Sequence, residues 1–326
     1  MKIGIIGFGG IAPYHASCFL AHKAVTLVAC SRSAANRQRG LQSGCSEAYR
    51  SIAEMYEQGK PDGVVICVSI LNTVEVLKEC VTYKKPILAE KPVGLSARET
   101  RECAQMAHRA GCSVMVALNR RFYSNMLAAR QRVRDAGGAL GIHVDSTDNM
   151  ERIRALGKFP EEVIQRWLFA NTIHSLDLIR FFCGDIDRIT AFKRIDEKSI
   201  LPDYAASMVM REGALAHYSG YFSSPGRWLI DIYCGGFRIK FEGHEDARLY
   251  KEGREMSAIP LDEADIKYKP GFFKQAQHFI GIVNGDMPVE FPVSTLDDAV
   301  QTMEMIEQIH NAPAVSCAVP EIRSVR

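Results

Sequence analysis

Two stretches of this sequence carry residue types at spacings suited to chemistry: Glu90-Lys91-Pro92 and Gly7-Phe8-Gly9-Gly10-Ile11-Ala12. The apolar run Ile87-Leu88-Ala89 ahead of the first reads as the end of a buried strand, and Pro92 blocks its simple continuation. Ligands of open parallel sheets bind outside the carboxyl ends of the strands. Lys91 therefore stands where a cofactor or substrate would lie. As an ammonium it can polarise an oxygen, and if desolvated it can move a proton. The second stretch is G-x-G-x-x-A between a strand-like run (residues 2–6) and an apolar-periodic segment that reads as a helix. Gly7 permits a tight turn, Gly9 lets a pyrophosphate approach the backbone, and Ala12 lets helix and strand pack closely. The helix N-terminus then offers N–H groups and partial positive charge to phosphates.

The end of the next strand, residues 26–30, bears on which dinucleotide is held. Ser31-Arg32-Ser33 follows, with Arg37 and Arg39 beyond, and no carboxylate appears until Glu47. A ribose 2′-phosphate wants a hydroxyl and a guanidinium and is repelled by a carboxylate. The expectation is NADP(H) in preference to NAD(H). The expected cofactor contacts are Gly7, Phe8, Gly9, Gly10, Ile11, Ser31, Arg32, Ser69, Asn72, Glu90, Lys91 and Pro92. Ser69 and Asn72 belong to the exit loop of a third buried strand, residues 64–68.

The elements that must position these groups alternate. Strands are expected at residues 2–6, 26–30, 64–68, 87–89 and 113–118, with helices between them at 46–59, 73–83 and 96–110. Ser96 and Glu99 have the spacing of a capping box. Such alternation is the pattern of a doubly wound parallel sheet. After Asn119-Arg120-Arg121-Phe122 the pattern changes, and we place a domain boundary between residues 119 and 120, giving domains 1–119 and 120–326. Residues 161–183 read as mainly helix, with His174, Asp177 and Arg180 among apolar residues. Extended runs follow from residue 188 to 251, then helices at 271–283 and 294–311, and a loosely held tail after Pro313. In residues 215–222 both alternating sets carry apolar or aromatic side chains, so something beyond the helices should cover much of the second face. A second subunit is the economical reading.

Composition sets bounds. The 326 residues carry 40 Lys and Arg against 38 Asp and Glu, a net charge of +2, which gives no argument for nucleic acid or an anionic membrane. Ten scattered cysteines form no Cys-x-x-Cys pair. Buried free thiols in a reducing cytosol fit better than disulfides or a metal site, and no metal is expected. Met1-Lys2 runs directly into the first strand, so no signal peptide is read there, and no apolar stretch is long enough to span a bilayer. The expected location is cytoplasmic.

With these pieces in place, the chain resembles the family of glucose-fructose oxidoreductase, inositol dehydrogenase and the MocA proteins. The resemblance runs from residue 1 to about residue 310 and rests on the glycine stretch, Glu90-Lys91-Pro92, Asn119-Arg120-Arg121-Phe122 and His174-Ser175-Leu176-Asp177. It implies an α/β protein: an N-terminal Rossmann doubly wound sheet, then a C-terminal α/β domain on a large, mostly antiparallel open sheet through which dimers or tetramers form. The last helix is expected to belong with that second domain. It further implies an NAD(P)-dependent oxidoreductase acting on a sugar, a sugar derivative or a related polyhydroxylated or carbonyl compound. Lys91 and His174 are then the catalytic residues, and Arg121, Asn171 and Asp177 the substrate-binding ones. Two departures stand out. The commoner aspartate four residues before the histidine is Ala170 here, and the usual loop after the third strand is Ser69-Ile70-Leu71-Asn72-Thr73. The alternative is a non-catalytic nucleotide- or sugar-sensing regulatory protein of the same fold.

Overall fold

The computed structural model describes residues 1–196, 199–226 and 228–315. Six strands form first: β1 (Lys2–Ile6), β2 (Thr26–Cys30), β3 (Glu47–Tyr49), β4 (Gly63–Ile66), β5 (Ile87–Ala89) and β6 (Val114–Val116). They lie parallel in the order β6-β5-β4-β1-β2-β3, with helices between them on both faces. β1, β4 and β5 are almost wholly buried, as strands covered on both faces must be.

The second sheet contains β7 (Gly141–Ser146), β8 (Ile186–Arg194), β9 (Asp203–Met210), β10 (Leu215–Gly220), β11 (Trp228–Cys234), β12 (Phe237–Glu242), β13 (Asp246–Lys251) and β14 (Arg254–Ala258). The order of these eight strands is β14-β13-β12-β11-β7-β10-β9-β8, antiparallel among themselves except where β7 meets β10. The fold is therefore the expected one, a Rossmann sheet followed by a mostly antiparallel open sheet. The helices Ile173–Cys183 and Leu296–His310 cover one face. On the other face Leu215 and Phe192 stay about half exposed, while Ala216, Tyr218 and Phe222 are buried beneath.

Several expectations change. Residues 46–59 begin with the edge strand β3. The helix starts only at Ile52, where the Ser51 hydroxyl accepts from Glu54 N–H and Glu54 accepts from Arg50 N–H. Three residues of strand are too short to show a period. Residues 161–183 are three helices, Glu161–Gln165, Trp167–Ala170 and Ile173–Cys183. A helix Met150–Ala155, capped by Asn149, precedes them.

The division at 119/120 marks where the parallel strands end, but the chain returns. The helix Phe272–Asn284 packs on the helix Ala12–Leu20, burying Phe272, Ala276 and Phe279 against Phe19, Ile3 and Ile5. A short strand β15 (Ser294–Thr295) adds antiparallel to β6. The last helix, Leu296–His310, packs on both domains, touching the helix Ala97–Ala110 as well as β8 and β9. Residues after Pro313 begin with β16 (Ala314–Val315), paired to Lys193 and Arg194 of β8. Nine cysteines are buried and free, and Cys317 lies outside the described residues. Among the described residues no helix is long and apolar enough to cross a membrane.

Candidate active site

A cleft of about 1510 Å³ opens at the carboxyl ends of β1, β2, β4 and β5. Its floor is the glycine stretch. Gly7 has φ +83°, and a Cβ there would sit 2.8 Å from the Cys67 carbonyl oxygen, so only glycine makes this turn without strain. Gly9 and Gly10 face open space: a Cβ on either meets nothing within 4 Å. The helix Ala12–Leu20 has neither a side-chain cap nor an acidic residue in its first turn, which leaves its N-terminus to an anionic group. This floor fits a pyrophosphate. Phe8 contributes only backbone, because its side chain is fully buried.

Ser31 and Arg32 line the cleft at the end of β2, with Ser33, Asn36 and Arg50 beside them. The other two arginines are spent on backbone: Arg37 donates to the carbonyls of Ser31 and Arg32, and Arg39 to that of Phe8. Among the described residues the guanidiniums of Arg32 and Arg50 have no hydrogen-bond or ion-pair partner. Arg50 was missed because it follows the unrecognised strand β3. Glu75 and Glu79 also line the cleft, from a helix that sequence order places far from Ser31, and Glu75 is paired with Lys78 at 2.8 Å.

Ser69 and Asn72 border the next part, and Glu90 and Lys91 the far end. Pro92 is buried behind them and is not part of the lining. Lys91 Nζ donates to the Ala170 carbonyl at 2.9 Å. That carbonyl is available because the helix breaks there: His174 N–H, which would close the turn on Ala170, bonds to Asn171 instead. Burial pushes Lys91 from 10.5 down to about 8. Glu90 opposes the shift, and Arg120 and Lys269 add to it. Glu90 is itself fixed by His15, whose Nε2 lies 2.7 Å from Oε1.

His174 is 6% exposed and does not line the cleft, and among the described residues its Nδ1 has no hydrogen-bond partner. Burial, and then the charges of Lys91 and Arg120 with His244 and Lys269, hold it well below the usual histidine range. Asn171 lines the cleft and donates to Asp148 at 3.3 Å. Asp148 also accepts from Trp167 Nε1 at 2.8 Å and from Trp228 Nε1 at 3.1 Å. Both tryptophans of the chain thus converge on one carboxylate. Asp148 follows the end of β7, a position open to recognition once that strand is identified.

Arg121 and Asp177 do not reach the cleft, contrary to the expected substrate contacts. They bind each other in a buried fork, Nε to Oδ2 at 2.7 Å and Nη2 to Oδ1 at 2.5 Å. Asp298 adds a second carboxylate to Arg121 at 2.6 Å, and Thr302 donates to Asp177. Each charge is consumed by its neighbours, so neither offers a free group to a substrate.

The fold and cleft together define an α/β protein with a Rossmann-type parallel sheet and a second, mostly antiparallel sheet. Residues 1–118 match the model of the oxidoreductase family with an NAD-binding Rossmann fold, GFO_IDH_MocA. Myo-inositol 2-dehydrogenase of Thermotoga maritima is 26% identical over 195 residues, 57% of this chain and 55% of that protein. Rhizopine catabolism protein MocA of Rhizobium meliloti is 27% identical over 140 residues, 43% and 44% of the two chains. The matched stretch spans about half the length of these curated relatives. Residues 1–118 are thus similar to the NAD-binding Rossmann domain of the Gfo/Idh/MocA oxidoreductases. Among solved structures, a dehydrogenase from Chromobacterium violaceum matches with a TM-score of 0.81 at 17% identity, over 95% of this chain and 94% of that one. An oxidoreductase from Agrobacterium radiobacter, in complex with NAD+, L-tartaric acid and magnesium, matches with a TM-score of 0.78 at 18% identity, over 94% of each chain.

Proposed function

We propose that the protein is an NAD(P)-dependent oxidoreductase, with NADP preferred, acting on a hydroxyl or carbonyl of a polyhydroxylated compound. The observation that carries this reading is the position of Lys91, a buried ammonium at the end of the cleft whose floor is the glycine stretch. The cofactor supplies a hydride acceptor or donor when bound. The residues that would hold it are Gly7, Gly9, Gly10 and Ile11 at the pyrophosphate, Ser31 and Arg32 at the adenosine ribose, and Ser69, Asn72 and Glu90 toward Lys91. The preference for NADP rests on the guanidiniums of Arg32 and Arg50, unpaired among the described residues, beside the hydroxyls of Ser31 and Ser33.

In the oxidation direction the substrate carbon gives up a hydride as its hydroxyl loses a proton, and C–O becomes C=O. Lys91 is the group best suited to take that proton, since its value near 8 lets it hold either state close to neutrality. His174, held neutral, orients the same oxygen by a hydrogen bond. The break in the helix at Ala170 aims Lys91 at this point. A second copy of the chain is the proposed cover for the open sheet face that exposes Leu215 and Phe192, and light scattering of the purified protein tests it.

The test of the activity is a fluorescence titration with NADPH and NADH, followed by hydride transfer to a panel of sugars and carbonyl compounds. Lys91→Ala should keep nucleotide binding and lose most turnover. Retained turnover removes Lys91 from the chemistry. Nucleotide binding without hydride transfer to any compound favours the regulatory reading.

A further inference from the structure

The chemistry beyond Lys91 is unusual in its charge, and it bears on the substrate of the site proposed above. The groups whose fields act most strongly on His174 are Lys91, Arg120, His244 and Lys269, all of them basic. The carboxylates nearby are engaged elsewhere. Glu90 accepts from His15, Asp177 and Asp298 hold Arg121, and Asp148 holds Trp167, Trp228 and Asn171. Position 170 contributes only a backbone carbonyl, already taken by Lys91.

Arg120 and Arg121 are neighbours in sequence with opposite fates. Arg121 is sealed between two carboxylates. Arg120 is only half-buried and has no ion-pair partner among the described residues. Its Cζ lies 4.2 Å from the centroid of the Trp228 ring, and its Nη1 is 3.1 Å from His244 Nε2, with Tyr123 beside it. Stacking uses the face of a guanidinium, and His244 and Tyr123 take only part of the Arg120 edge, which leaves its other N–H groups for in-plane hydrogen bonds. Arg120 and Trp228 do not line the cleft but lie behind its wall: Trp167 and Asn171 line it, Asp148 ties them to Trp228, and Trp228 carries Arg120.

A half-buried guanidinium that feels the charge of Asp148 but makes no ion pair among the described residues, beside two lysines and two neutral imidazoles, has room for a further anion. A neutral polyol would want acceptors for its hydroxyls, and this region offers mostly donors. We propose that the substrate carries a carboxylate bound by the free edge of Arg120, while its reacting hydroxyl faces Lys91 and His174. The substrate class is a sugar acid rather than a neutral sugar or polyol. This rests on the assignment of Lys91 as the reacting end of the site.

The test is a titration that does not need turnover. Both tryptophans lie in the Asp148 cluster, so their emission reports on occupancy. The NADP+-saturated protein is titrated at constant ionic strength with matched pairs: D-glucuronate and D-glucose, D-galacturonate and D-galactose, D-gluconate and sorbitol. The expected result is a saturable change for at least one acid, with affinity at least ten-fold tighter than for its neutral partner. Arg120→Gln should weaken that acid at least ten-fold, and Arg120→Lys by less, with NADPH binding unchanged and the fold retained by circular dichroism. The proposal is overturned if a neutral member binds as tightly as its acid, if no acid binds, or if Arg120→Gln leaves acid affinity intact. Hydride transfer is measured separately. Acid binding without hydride transfer upholds the anion site and removes the oxidoreductase reading, and oxidation of neutral sugars alone does the reverse.

Discussion

His15 and Glu90 form a buried pair, 2.7 Å from Nε2 to Oε1, that joins the first helix of the Rossmann sheet to the residue before Lys91. A carboxylate can only accept, so His15 Nε2 carries the hydrogen. The pair fixes a negative charge beside the Lys91 ammonium, and that charge raises the Lys91 value against the effect of burial.

Alcohol oxidation should follow the neutral amine of Lys91, rising with pH through about 8 and levelling above it. Glu90→Gln keeps a partner for His15 but removes the charge, so the midpoint should move to lower pH. Arg120→Gln removes a positive neighbour and should move it to higher pH. His15→Ala should displace Glu90 and also lower the midpoint, and His15→Gln should restore part of the shift. Rate profiles against pH for the variants decide this. Midpoints that do not move would separate Lys91 from the observed titration.

Asp148 should be felt through fluorescence. It accepts from Trp167, Trp228 and Asn171, whereas an asparagine has a single acceptor oxygen. Asp148→Asn leaves at least one indole N–H without a partner, at a cost of about 1–3 kcal/mol. The expected outcome is a lower melting temperature and a shifted emission maximum. Unchanged emission would mean the cluster does not form in solution.

Legibility in the sequence followed the length and apolarity of each element. β1, β2, β4 and β5 are apolar runs ending in glycine, proline or polar turns, so the parallel sheet and the place of Lys91 could be read directly. β3, three residues long and partly exposed, could not, and Arg50 was lost with it. The helix breaks at Arg166 and Asn171 carry no proline or glycine, so residues 161–183 looked continuous. Those breaks free the Ala170 carbonyl for Lys91, a tertiary contact with no local signal. The pairing of Arg121 and Asp177 was not legible for a related reason. Sequence shows that charges exist but not that Asp298, from the last helix, completes a closed cluster with them.

That cluster gives a stability prediction. Removing one member of a buried, hydrogen-bonded ion pair leaves the other charge unmatched and costs about 3–5 kcal/mol. Arg121→Met, which leaves Asp177 without a counter-ion, should lower the unfolding free energy by that order, and Asp177→Asn by less, because Asp298 still pairs with Arg121. The folded fraction of each variant should retain its NADPH affinity. If instead either variant is as stable as the parent and loses only substrate affinity, the pair opens to the substrate and the structural role is wrong.

Arg32 should decide between the two dinucleotides. Its guanidinium lines the cleft with Ser31 and Ser33 and has no partner among the described residues, whereas Arg37 and Arg39 are held on backbone carbonyls. A 2′-phosphate placed there gains charge-assisted hydrogen bonds worth about 1.5–3 kcal/mol, or about ten-fold or more in affinity. Arg32→Ala should therefore weaken NADPH by at least ten-fold and NADH by little, and raising the salt concentration should narrow the gap in the parent protein. Arg50→Ala should act in the same direction, more weakly if the phosphate lies nearer Arg32. Fluorescence titration of the parent and the two variants with both nucleotides measures this. Equal losses for NADPH and NADH would mean that Arg32 stacks on the adenine without reading the ribose, and tighter NADH binding by the parent would reverse the cofactor preference while leaving the cleft assigned to a dinucleotide.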